Sequence, residues 1–232
     1  LNSSIPEEKM VMELIDSSPF QRLRRIKQLG PAHLTFHGAE SSRFTHSLGV
    51  FHIARRAINH LSQINSKLKE HKFILYGAAL LHDLGHGPLS HTSEEIFKIK
   101  HESWTAKLIH SNDEIAMILD KYGEGNAKAI SDLIQSREAK EKSIISLISS
   151  QLDCDRLDYL MRDSYTTGAR YGQLDIDRII SAMIIAPDGD LAIHPKGLMA
   201  VEHYLVIRNL MYRSVYNHRL NEVCNWLLEQ II

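Results

Sequence analysis

Leu80-Leu81-His82-Asp83-Leu84-Gly85-His86-Gly87-Pro88 is the stretch on which the reading of the fold turns. An apolar helical pattern from about Phe73 runs into it, and Gly85-His86-Gly87-Pro88 stops that pattern abruptly. A His and an Asp are therefore placed side by side in the last turn of a helix. There the spiral is ending, so neighbouring side chains can converge on one point. Working outward, apolar residues recur at helical spacing through most of the 232 residues, and no repeat or Pro/Ser-rich linker divides them. The prediction is an all-α fold in a single domain, residues 1–232, with one small β-hairpin.

Helices are predicted over 8–16 and 19–29, the second closed by Gly30-Pro31. Thr45 is expected to cap a long helix from His46 to about Lys69. Shorter helices are expected over 101–111, 112–121, 126–137 and 143–149, with a longer one from Asp153 to Tyr165. Met183-Ile184-Ile185-Ala186, the turn Pro187-Asp188-Gly189-Asp190 and Leu191-Ala192-Ile193 read as the hairpin, near 183–193. From about Gly197 one long helix is predicted to the chain end.

The composition is that of a globular protein, with 44% hydrophobic and 24% charged residues and a net charge of -1. That balance disfavours a sequence-independent grip on nucleic acid or acidic membrane, so an anionic ligand must be met by local cations. Neither a signal peptide nor a run of about 18 apolar residues is visible. Two cysteines, Cys154 and Cys224, do not make a disulfide framework, and a cytoplasmic location is expected. Fourteen histidines are the unusual feature. The uncapped C-terminal helix and the missing initiator Met suggest a fragment of a longer chain.

The His82-Asp83 pair acquires meaning from two further residues. His46 begins a helix in Arg43-Phe44-Thr45-His46-Ser47-Leu48-Gly49, and Asp155 lies in Asp153-Cys154-Asp155-Arg156-Leu157-Asp158-Tyr159. Two imidazoles and two carboxylates form a mixed N/O set that suits one divalent cation, Mn, Fe, Ni, Zn or Mg, with positions left for water and substrate. Downstream, His86, His91 and His101 crowd together, and Glu94 sits one helical turn after His91, able to orient its ring. His91 is the expected acid/base residue.

With these strings in place, the sequence resembles the HD-domain phosphohydrolases, and within them the deoxynucleoside triphosphate triphosphohydrolase branch that includes the SAM-and-HD-domain proteins. The resemblance runs from about Asp16 to Tyr216. It is carried by Phe20-Gln21-Arg22-Leu23-Arg24, Lys27-Gln28-Leu29-Gly30, Arg43 to Val50, His82 to Pro88, Ser90-His91 and Asp155-Arg156-Leu157-Asp158-Tyr159. It implies metal ligation by His46, His82, Asp83 and Asp155, a catalytic His91 backed by Glu94, and phosphate contacts from His86 and His101. It further implies phosphate contacts from Arg43, Arg156 and Arg208, and deoxyribose contacts from Gln28, Leu29, Tyr159, Asp163 and Tyr216. Asp155, Tyr159 and Asp163 recur every fourth residue and so share a helix face. Asp16, Gln21 and Arg24 match positions that bind a guanine-nucleotide activator at a subunit contact in some relatives, implying a homo-oligomer, dimer or tetramer.

Pro31 departs from the small residue that relatives often have, and they extend beyond both ends of this chain. The expected reaction releases deoxynucleoside and triphosphate from a deoxynucleoside triphosphate. The ligand set alone leaves open another phosphoester, such as a monophosphate, cyclic nucleotide or alarmone, or a nucleotide-responsive or nucleic-acid-binding module with a structural metal.

Overall fold

A computed structural model describes residues 1–135 and 138–232. Its first helices are α1 (Pro6–Asp16), α2 (Ser18–Gln21), α3 (Arg43–Ile64), α4 (Lys72–Leu81), α5 (His91–Phe97) and α6 (His101–Ser111). There follow α7 (Asp113–Lys121), α8 (Asn126–Gln135), α9 (Lys142–Ile148), α10 (Cys154–Thr167) and α11 (Ile176–Ala182). Strands β1 (Met183–Ile185) and β2 (Leu191–Ile193) precede α12 (Leu198–Met211) and α13 (Arg219–Ile231). The fold is all-α with a two-stranded antiparallel hairpin, as expected. Met183 pairs with Ile193 and Ile185 with Leu191, and Gly189 takes the positive φ of the turn. The predicted helix end at residues 136 and 137 lies outside the described residues. No helix among the described residues is long and apolar enough to cross a membrane.

α3 is the central rod, with α4 against one side and α10 against another. Its apolar stripe of Val50, Ile53, Ala54, Ala57, Ile58 and Leu61 is buried, and Leu75, Ala78 and Ala79 of α4 complete the same core. Each fully buried Leu or Ile contributes about 1.5–3 kcal/mol of transfer free energy. This packing sets the first turn of α3, the last turn of α4 and the first turn of α10 at one end of the core. Gly49 permits the α3–α10 approach, because a Cβ there would overlap the Asp158 carboxylate.

Several predicted boundaries are corrected. Ser42, rather than Thr45, caps α3: its Oγ accepts from the Thr45 amide at 3.3 Å. Both Arg43 and His46 thereby enter the first turn. α3 ends at Ile64, and Ser66–His71 forms a separate 3-10 segment capped by Asn65. The predicted helix over 19–29 holds only to Gln21; Arg22–Arg25 is 3-10. Beyond it the chain is extended, because Gln28 donates its amide to Ser41 and Arg43 donates its amide to Ile26, each at 2.8 Å, around a Lys27–Ser42 bridge. That bridge satisfies backbone groups which a helix would otherwise have to pair. α11 lies outside the predicted helices, and α5 extends the single turn expected at His91–Glu94 to Phe97.

The predicted C-terminal helix is broken as well. Tyr212–Tyr216 forms a π turn, and His218 caps α13 by accepting from the Leu220 amide. Asn221 Nδ2 donates to Val215 O at 2.9 Å and holds the break. The break carries the consequence that Tyr216 turns inward.

Candidate metal centre

The four predicted ligands come together. His46 is fully buried, and its Nδ1–H donates to Asp158 Oδ2 at 2.8 Å. In the neutral ring that bond fixes the tautomer and leaves the Nε2 lone pair free, 2.9 Å from Asp155 Oδ1 and 3.6 Å from Asp83 Oδ2. His82 is held in the same manner: its Nδ1–H donates to Ala79 O at 2.9 Å, and Nε2 stands 3.4 Å from Asp83 and 3.8 Å from Asp155. Both Nε2 atoms are buried without a hydrogen-bond partner. Leaving such atoms unpaired costs about 1–3 kcal/mol each, so the arrangement is that of ligands awaiting an electrophile.

Charge points the same way. Burial opposes protonation of His46, but Asp155 and Asp158 outweigh it and push the imidazole up to about 10. Burial likewise opposes ionisation of Asp155, yet His46 and His82 bring its carboxyl down to about 2. A pocket that recruits a proton in this way has a deficit of positive charge, which a divalent cation would fill. The donor set and the orphaned nitrogens thus fit one divalent metal.

Around the ligands lies a supporting layer that sequence reasoning left unassigned. Asp158 accepts from His46 and also receives Arg162 Nε and Nη2, each at 2.8 Å. Arg22 donates to Leu84 O at 2.6 Å and His86 O at 2.9 Å, tying down the turn after Asp83. Thr105 Oγ1 donates to His82 O at 3.0 Å and accepts from the Gly85 amide at 2.8 Å, joining α6 to that turn. The signals were present as i, i+3 and i, i+4 spacings from Asp155 through Asp158 to Arg162. Arg43, expected at phosphate, is buried and turned on the protein: Nη1 meets Asp83 Oδ2 at 2.7 Å and Nε donates to Ser90 Oγ at 3.1 Å.

His86, His91, Glu94 and His101 cluster beside the centre. His91 and His101 donate Nδ1–H to the same Glu94 Oε1, at 2.8 and 2.9 Å. Burial alone would raise the Glu94 carboxyl, but these imidazoles hold it well below the usual range. His86 stacks on His101 with ring centroids 4.0 Å apart. His91 is the open member, with 65% of its side chain exposed.

The residues expected at the sugar occupy one side. Gln28, Leu29, Ser90, His91 and Tyr216 share the lining of a cavity of about 160 Å³. Tyr216 Oη donates to Asp163 Oδ2 at 3.0 Å and meets the Tyr159 ring edge-on at 5.7 Å. Burial raises Asp163 to about 7. Arg156 and Arg208 are turned elsewhere, Arg156 against Asp153 and Arg208 Nη1 onto Gln151 Oε1 at 3.1 Å. Farther away, Arg24 Nε donates to Gln21 Oε1 at 2.6 Å and its guanidinium lies 3.6 Å from the Phe44 ring centre, while Asp16 stands exposed at the end of α1.

Comparison with known proteins agrees with this geometry. The HD domain family matches residues 43–163 and the HD associated region matches residues 174–232. An uncharacterized Bacillus subtilis protein, YwfO, is 42% identical over 97% of this chain and 52% of its own length. The deoxynucleoside triphosphate triphosphohydrolase SAMHD1 homolog of Dictyostelium discoideum is 32% identical over 94% of this chain and 45% of its own. A crystal structure of a hypothetical protein from Aquifex aeolicus superposes with a TM-score of 0.84 at 37% identity, covering 96% of this chain and 61% of that one. The chain spans about half the length of the curated relatives it matches. Side-chain geometry, helix order and family match converge, and the chain belongs to the HD domain family.

Proposed function

We propose that this domain hydrolyses deoxynucleoside triphosphates to deoxynucleoside and triphosphate, using one divalent cation held by His46, His82, Asp83 and Asp155. The observation that carries the reading is the adjacency of three parts. They are the His/Asp centre, the Glu94-supported His91, and the Tyr159–Tyr216–Asp163 wall. When bound, the cation polarises the phosphoryl group and lowers the pKa of water.

The protein's residues supply the rest. Asp83 is oriented by Arg43, and His46 by Asp158, so the ligand side chains are fixed before substrate arrives. Water would attack the α-phosphorus and pass one proton to solvent; the bond from that phosphorus to the 5′ oxygen breaks, so the triphosphate keeps the water's oxygen and the deoxynucleoside departs. His91, as the imidazolium backed by Glu94, protonates the departing 5′ oxygen from Nε2. His86 and His101 face the α-phosphate from the same cluster. Arg156 and Arg208 swing from Asp153 and Gln151 to the outer phosphates, since a polyanion competes well for a guanidinium. Gln28, Leu29 and Asp163 border the deoxyribose, and the Tyr216 ring leaves no room for a 2′-hydroxyl.

An oligomer and a guanine-nucleotide activator belong to the same reading. Exposed Leu220, Val223, Trp226 and Leu227 on α13 make an apolar face suited to further protein surface. Asp16, Gln21 and Arg24 offer donors and acceptors for a guanine edge. Cytoplasmic nucleotide pools would supply both ligands. The test is a product assay on metal-loaded protein with deoxynucleoside triphosphates, ribonucleoside triphosphates and monophosphates, with and without guanine nucleotide. Triphosphate and deoxynucleoside are the expected products; pyrophosphate or phosphate as the only inorganic product overturns the reading.

A further inference from the structure

We propose that His86, His91, Glu94 and His101 form a second cation site, rich in nitrogen and suited to a zinc-class ion. One ligand atom from each of the four lies within 4.8 Å of all the others. Around Glu94 Oε1 the Nδ1 atoms of His91, His101 and His86 stand at 2.8, 2.9 and 3.4 Å. With metal–nitrogen bonds of about 2.0–2.1 Å, neighbouring donors in a tetrahedral shell sit roughly 3.3 Å apart. Small rotations of the rings therefore convert a carboxylate surrounded by imidazoles into a shell surrounding an ion.

The second observation is His86 itself. It is 1% exposed, and among the described residues neither Nδ1 nor Nε2 has a hydrogen-bond partner, Nε2 standing 3.3 Å from Asp83 Oδ1 without bonding to it. Its stack on His101 and edge contacts of His91 with both rings, at 4.8 and 5.5 Å, hold the three imidazoles shoulder to shoulder. A buried imidazole with neither nitrogen well bonded is expensive, and a cation would take the lone pair of its unprotonated nitrogen.

Ligand chemistry separates this site from the first. Three imidazoles and one carboxylate favour zinc over magnesium or manganese, whereas the His46, His82, Asp83 and Asp155 set carries twice the carboxylate. His91, open to solvent, gives the ion its entry. Binding displaces the Nδ1 protons of His91 and His101 to solvent, and Glu94 turns from those rings to the ion. His91 then has no supported proton to deliver. Zinc in excess of the first site is therefore an inhibitor of the manganese- or magnesium-loaded protein. Binding stands without the proposed reaction; the inhibition rests on it.

Equilibrium dialysis of the whole chain against zinc, with metal counted by mass spectrometry, is expected to give two ions per chain. One remains in His91→Ala and in Glu94→Gln, with the helical circular dichroism unchanged because His91 is exposed. Zinc-edge anomalous diffraction is expected to place the second ion within about 2.0–2.2 Å of these ligands. A single ion in the wild type, a second ion that persists in both variants, or a second peak at Cys224 overturns the site. Two ions bound with undiminished turnover overturns the inhibition and the assignment of His91 as acid, while the site stands.

Discussion

The two halves of the proposed site are built to different standards. On the α3–α4–α10 side each of three ligand side chains has a partner behind it: His46 has Asp158 and Arg162, His82 has the Ala79 carbonyl, and Asp83 has Arg43 and Ser90. On the α10–α12 side Arg156 and Arg208 rest on Asp153 and Gln151, and each keeps a buried Nε with no hydrogen-bond partner among the described residues. The first half is finished by the fold. In the proposed reaction the second would be finished by the substrate, the division expected when a fixed ion must meet a flexible polyanion.

The strongest blow to this comparison is Asp155→Ala, the ligand nearest the open side. Manganese content is expected to fall from about one per chain to near zero, and hydrolysis by at least about 10³-fold, the worth of several kcal/mol of electrostatic stabilisation. His91→Ala comes next: kcat is expected to drop by about 10²–10³-fold with the metal of the first site retained. A variant that loses that metal as well would place His91 in the finished half. Asp158→Asn probes the supporting layer. It exchanges the carboxylate that fixes the His46 tautomer for an amide, and metal affinity measured by competition with a chelator should weaken about 10–100-fold. Arg208→Ala should have the mildest effect, raising KM by about tenfold or less with little change in kcat, since it removes a contact made equally in ground and transition states. A fall in kcat instead would show that the loose half tightens in the transition state.

The same division explains what was legible in the sequence. His46, His82, Asp83 and Asp155 stand at helix ends, which local capping and breaking residues mark in the sequence, whereas the partners that aim two of them, Asp158 and Arg43, are distant in sequence. The hairpin was legible because Asp188 and Gly189 mark its turn. The α12–α13 break was not: Tyr212-Arg213-Ser214-Val215-Tyr216 contains neither Gly nor Pro, and the turn is imposed by Asn221 reaching back to Val215 and by Tyr216 bonding to Asp163. Ser42 and Thr45 both offer capping hydroxyls, and only the backbone bond from Arg43 to Ile26 selects the earlier one. Asp158 was hidden by its neighbours, since the face shared by Asp155, Tyr159 and Asp163 drew the chemistry, while Asp158 faces Gly49 on α3.

Leu89 and Ser90 both hold positive φ, at 69° and 53°, a conformation that costs a non-glycine residue of order 1–3 kcal/mol. Ser90 Oγ accepts from Arg43 and donates to Lys27 O at 2.7 Å, next to Gln28 on the cavity wall. One hydroxyl is thus shared between the wall on which a sugar would lie and the guanidinium that aims Asp83. In the proposed reaction the two events would be linked through it: a ligand that steadied the Lys27–Gln28 segment would tighten the hold on the ion, and by reciprocity the ion would tighten the hold on that ligand.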